Sequence, residues 1–152
     1  QVQDYAGSDY RRSRSAAENI IPNTHEAGNW LPNLLPHLEG RVTTSALNVP
    51  IQRGSLLDVS LAFSDDSITV DAVNDAIRSA SRSRPELIQV SEDPIVSSDV
   101  IGQSCTVLFD APGTIKAGSR MIKLLGWYEN LGHAARLLDV ARLYTEMEAA
   151  GA

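Results

Sequence analysis

The sequence predicts an α+β fold: a mixed, mostly antiparallel sheet with helices packed on one face. Three observations carry this reading. Leu57, Val59, Leu61 and Phe63 alternate with Asp58, Ser60 and Ala62, the period-two signature of a half-buried strand. Leu131, Ala135, Leu138, Ala141 and Met147, flanked by Leu137 and Tyr144, recur at helical spacing and predict a helix over about 131–148. Strand-like segments outnumber helical ones without alternating strictly with them, which points away from a parallel α/β sheet. No G-x-G-x-x-G follows a strand, so no dinucleotide-binding domain is expected within this chain.

The remaining elements follow in order. Residues 1–10 are polar, with Gly7, Ser8 and Asp9, and read as an extended loop. Thr24 is placed to cap a helix running to about residue 38, because Ala27, Leu31, Leu34, Leu35 and Leu38 share a face. Pro32 and Pro36 interrupt it, and Pro32 has no N–H to give the Gly28 carbonyl, so a kink or restart is expected there. Residues 41–49 read as a partner strand, separated from the next by Pro50 and Gly54. Thr69 caps a second helix with the stripe Val70, Val73, Ile77 and Ala80, an acidic Asp71 in its first turn and a stop at Arg84-Pro85. Strands are expected around Ile95, over 105–109 and over 120–128. The last is apolar on both faces (Met121, Leu125 and Trp127 against Ile122, Leu124 and Tyr128), as befits a central strand. Trp30 and Trp127 are expected in the core.

The 152 residues suit one domain, 1–152, without staples. No apolar run approaches a membrane span and no secretory signal opens the chain. Gln1 is not an initiator Met, so a removed or omitted upstream segment is expected. The net charge of −6 argues against nucleic-acid binding, although Arg11, Arg12 and Arg14 form a local basic cluster. A single cysteine, Cys105, excludes an internal disulfide and fits a reducing, cytoplasmic setting. His25, His37 and His133 are far apart and never fall at metal-ligand spacing, so no metal is assigned.

The order of local motifs adds a family. Arg11-Arg12-Ser13-Arg14-Ser15-Ala16-Ala17-Glu18-Asn19-Ile20-Ile21-Pro22 is similar to the L-R-R-A-R-A-A-A-x-N-I-I-P stretch of glyceraldehyde-3-phosphate dehydrogenases. Pro36-x-Leu38-x-Gly40, Val96-Ser97-Ser98-Asp99, Phe109-Asp110-Ala111, Trp127-Tyr128-Glu129-Asn130 and the pair Arg136 and Asp139 follow in the family's order. The chain therefore resembles the C-terminal, catalytic domain of that family and lacks its N-terminal half. The resemblance implies a sheet with helices on one face and a homo-oligomer interface on the other, in a dimer or tetramer. It implies oxidative phosphorylation of an aldehyde, in which a cysteine thiolate attacks the carbonyl, a histidine acts as base, NAD or NADP takes the hydride and phosphate releases the acyl group.

On the same resemblance, the parts of that machinery are largely absent or altered. The family nucleophile lies in an S-C-T-T-N segment upstream of the arginine-rich run. Ser104-Cys105-Thr106 repeats its first three letters some ninety residues too late, so Cys105 is expected to be a buried strand cysteine and no catalytic residue is assigned. The base histidine would fall at or before Gln1, and residues 1–10 are a shortened version of the loop that leads into the arginine-rich run. The family's Thr-Gly phosphate pair is His25-Glu26 here, and its phosphate-contacting arginine is Asn48. A carboxylate about 4 Å from a phosphate charge costs about 4 kcal/mol at an effective dielectric near 20. Asn130 matches the asparagine that holds the nicotinamide carboxamide, with a helix-start cap as its other reading. His133, at the position of a family tyrosine, is expected to be a solvated helix residue, and the Arg11, Arg12 and Arg14 cluster to serve salt bridges between subunits or domains. Two functions stay open: a catalytic and oligomerisation domain, inactive by itself and completed by an upstream nucleotide-binding domain, or a stand-alone, non-catalytic binding or assembly module. A different aldehyde substrate is a weaker third.

Overall fold

A computed structural model describes residues 4–151. The chain forms two compact units, Gln1–Gln52 and Arg53–Ala152.

In the first unit, β1 (Ile21–Thr24) pairs antiparallel with β2 (Ser45–Asn48), Ile21 opposite Asn48 and Thr24 opposite Ser45. Thr24 is thus a strand residue and not a helix cap; pairing across the chain outweighs its local capping preference. The helix α1 (Ala27–Leu34) begins after Glu26, and no side chain of Glu26 caps it. Pro32 lies inside α1, and the break comes instead at Leu35, whose φ of −130° and ψ of 77° are the extended backbone that the following Pro36 imposes. Pro36–Leu38 then forms a single 3-10 turn. The strand expected over 41–49 shrinks to β2, and its partner is β1. Trp30 is 65% exposed and α1 buries none of its residues, so Trp30 is not a core residue of this chain. Ahead of β1, Asp9 organises the polar segment: its Oδ1 accepts the N–H groups of Arg11 and Arg12 at 3.0 and 3.1 Å, and its carbonyl accepts the hydroxyl of buried Ser13.

The second unit is the α+β sheet. Its strands are β3 (Ser55–Ala62), β4 (Ile88–Ser91), β5 (Val107–Ala117) and β6 (Met121–Tyr128), in spatial order β3-β6-β5-β4. Only β4 and β5 run parallel, so the sheet is mixed and mostly antiparallel. The two-faced strand β6 is central, as its composition predicts, with Ile122 fully buried. The helix α2 (Val70–Ser83) packs on β4 and β5, and Thr69 caps it by accepting the Ala72 N–H at 3.1 Å. No strand forms around Ile95. Pro94 has no N–H to give a ladder, and Asp99 bends residues 96–99 by accepting the Val96 N–H at 2.8 Å. The strand lies earlier, at β4. The strand expected over 105–109 instead runs from Val107 to Ala117, through an irregularity between Asp110 and Ile115. The chain closes with α3 (Asn130–Ala149).

Candidate functional site

The irregularity in β5 is built from buried polar groups. Asp110 is buried, and its carboxylate accepts the Gly113 N–H at 2.9 Å and the Trp127 indole N–H at 3.1 Å. Asn74 on α2 donates to the Ala111 carbonyl at 3.2 Å and accepts the Thr114 hydroxyl at 2.8 Å. A bulge leaves backbone groups without ladder partners, and here side chains supply them. Two family-like motifs, Phe109-Asp110-Ala111 and Trp127-Tyr128-Glu129-Asn130, therefore meet in one hydrogen bond. The sequence shows the motifs but not Asn74, which looks like any polar helix residue.

The root of α3 is fixed the same way. Buried Gly132 lies so close to residue 105 that an added Cβ would fall 2.2 Å from the Cys105 carbonyl oxygen. Arg136 donates to the Glu86 carbonyl and to Thr106 Oγ1 and pairs with Asp139 at 2.8 Å. Asn130 is exposed as the first residue of α3. The cap position belongs to Glu129, whose carboxylate accepts the Gly102 N–H instead of closing the helix. The capping role open to Asn130 is not realised. His133 is exposed on the same turn.

Cys105 is 3% exposed and lies in the bend before β5, not within a strand. Burial pushes its thiol above the ordinary value, only partly offset by a hydrogen bond and the charge of Arg136. The proton is thus held more tightly in the folded chain than in the unfolded one. This stability is complete below the unfolded thiol's titration and is lost as pH rises through the folded one. Alkaline unfolding should accordingly steepen above the ordinary thiol range, and Cys105→Ala should flatten that slope in denaturant titrations run at increasing pH.

His25, Glu26 and Asn48, the positions expected to be altered phosphate contacts, lie in the first unit. His25 Nδ1 accepts the Ala27 N–H at 3.0 Å, and Thr44 Oγ1 accepts the Gly28 N–H at 3.2 Å while donating to the His25 carbonyl at 2.8 Å. Gly28 permits this approach, since a Cβ there would sit 2.9 Å from Thr44 Oγ1. The first N–H groups of α1 are thus taken by the chain's own acceptors. Asn48 accepts the amide of Asn23 at 2.9 Å and borders a cleft of about 480 Å³ with Tyr5, Ser8, Asp9, Arg12, Arg14, Ala16 and Ile21. Arg14 pairs with Asp4 at 3.5 Å. The structure thus brings Asn48 to the arginine cluster, and adds Asn23 and Thr44, which no sequence motif marks. Among the described residues, no group of His, Cys, Asp and Glu could hold a metal, and no helix is long and apolar enough to cross a membrane.

Known proteins resolve the ancestry of this arrangement. The family model for the glyceraldehyde 3-phosphate dehydrogenase C-terminal domain matches residues 1–130. Glyceraldehyde-3-phosphate dehydrogenase 2 of Streptomyces avermitilis is 37% identical over 142 residues, 92% of this chain and 42% of the relative. The glyceraldehyde-3-phosphate dehydrogenase of Borreliella burgdorferi is 34% identical over 146 residues (93% and 43%), and that of Priestia megaterium 36% over 144 (93% and 43%). The chain spans about two fifths of the length of these curated relatives. On these matches the chain belongs to the glyceraldehyde-3-phosphate dehydrogenase C-terminal domain family.

Proposed function

We propose that the chain is the C-terminal catalytic and oligomerisation domain of a glyceraldehyde-3-phosphate-dehydrogenase-like oxidoreductase, inactive by itself. The observation that carries this reading is Cys105. The family's reaction needs a thiolate, and this chain's one thiol is buried and shifted toward its neutral form. NAD or NADP belongs to an intact family member. Asn130, exposed as the first residue of α3, would hold the carboxamide there.

The far part of α3 supports a need for partners. Every residue from 137 to 149 is exposed, including Leu137, Leu138, Val140, Leu143, Tyr144 and Met147. A helix with this much bare apolar surface is stabilised by covering it. An upstream nucleotide-binding domain and further copies of the chain, as a dimer or tetramer, are the partners of this reading. Its setting is cytoplasmic.

A second reading, a stand-alone relative used as a binding or assembly module, draws on α1. The turn at which the resemblance places phosphate is closed by His25 and Thr44, with Glu26 beside it. A chimera separates the two readings. Joined behind the upstream part of the Borreliella burgdorferi relative, the chain should yield an enzyme whose phosphate KM is raised by about two to three powers of ten, from the carboxylate cost above. His25→Thr, Glu26→Gly and Asn48→Arg together should return most of that loss. A soluble, folded chimera that makes no NADH even with the three replacements would favour the module.

A further inference from the structure

We infer that His25 is a proton-sensitive latch on the start of α1. The inference goes beyond the proposed function and does not depend on it, because it rests on the geometry of one turn. The residue before the helix-start position supplies the acceptor here: His25 Nδ1 takes the N–H of Ala27, the first residue of α1, at 3.0 Å. An imidazole accepts a hydrogen bond only through an unprotonated nitrogen, so this contact requires the neutral ring with its proton on Nε2. Protonation at Nδ1 replaces the lone pair with a second donor facing the Ala27 N–H. It also sets a positive charge beside the positive end of the helix dipole. Both effects act in the same direction, against the first turn.

The surroundings do little to oppose this. β1, β2 and α1 contain no charged side chain. Glu26, at the helix-start position, is the carboxylate next to the ring in sequence, and the 3-10 turn packed against α1 contributes His37. Thr44 holds the His25 carbonyl and the Gly28 N–H, so acidification frees the Ala27 N–H while the Thr44 contacts remain. The unlatched state is a frayed first turn of α1, not an unfolded unit. The helix α2 provides an internal contrast, because its cap is the Thr69 hydroxyl, which does not titrate.

Histidine is the side chain that ordinarily changes charge between about pH 5 and 8, and the test spans that interval by NMR on the whole chain. The Ala27 amide shift should follow the protonation of the His25 ring, and its exchange protection should fall several-fold on acidification. The Ala72 amide of α2, corrected for intrinsic exchange, should hold. His25→Asn offers an acceptor at every pH and should abolish the Ala27 response. An Ala27 amide indifferent to His25 protonation would overturn the latch. So would a response that persists in His25→Asn, which would assign it to His37 or Glu26. If the Asn variant does not fold, the comparison of Ala27 with Ala72 in the natural chain still decides.

Discussion

Gly132→Ala should lower the thermal midpoint by about 5 °C and loosen α3 before the sheet melts. Alanine ordinarily favours a helix over glycine by about 1 kcal/mol, so the sign must be settled by the contact. The added Cβ would lie 2.2 Å from the Cys105 carbonyl oxygen and 3.1 Å from its carbonyl carbon. Both are backbone atoms, locked just ahead of β5, and cannot rotate away as a side-chain tip could. Overpacking of this kind costs about 1–3 kcal/mol and more when backbone must shift, which exceeds the propensity gain. Relief comes from lifting the first turn of α3, and that lengthens the contacts of Arg136 with Glu86 and Thr106. Amide exchange resolved along α3, alongside a calorimetric scan, checks both parts. A midpoint unchanged or raised would show that Gly132 is not packed against residue 105.

Asp110→Ala should cost about 3 kcal/mol and expose Trp127. The carboxylate is the acceptor for two donors, the Gly113 amide and the Trp127 indole. Removing it leaves both without a partner in a region where Asp110, Ala111 and Thr114 are all buried. Each orphaned buried donor costs about 1–3 kcal/mol. Asp110→Asn keeps the shape and one accepting oxygen but turns an amide donor toward the other donor, so it should fall between the two. Urea unfolding followed by tryptophan fluorescence reads both the midpoint and a red shift of the native emission. Trp30 is exposed already, so a new shift reports Trp127. If Asp110→Ala unfolds at the same urea concentration as the natural chain, the bulge is not held by this carboxylate.

Much of the second unit was legible in the sequence because its signals are local. The cap at Thr69, the stripe of α2, the alternation of β3 and the two-faced character of β6 each lie within a few residues. The misreadings share a cause: a partner distant in the chain decided the outcome. Thr24 looks like a cap until Ser45 pairs with it. Asp110, Pro112 and Gly113 look like the end of a strand until Asn74, Trp127 and Thr114 bridge the irregularity and let β5 continue to Ala117. Trp30 looks like core because tryptophan usually is, but α1 buries nothing in this chain.

The candidate site divides along the same line. That His25, Glu26 and Asn48 stand where the resemblance places phosphate contacts is an expectation drawn by laying one motif beside another. How they are used cannot. The acceptors that close the first turn of α1 are His25 and Thr44, nineteen residues apart, and Asn48 is engaged by Asn23, twenty-five residues away. Neither Thr44 nor Asn23 belongs to a motif. Cys105 is buried as expected, but in a bend ahead of β5 and not in a strand.

As proposed above, this member of the C-terminal domain family is inactive by itself. The direct measurement is NADH formation by the purified chain, supplied with glyceraldehyde 3-phosphate, NAD and inorganic phosphate, against the Priestia megaterium relative as a positive control. No NADH should form above the rate without protein, at any phosphate concentration. NADH produced in proportion to the chain's concentration, and abolished by Cys105→Ala, would contradict it.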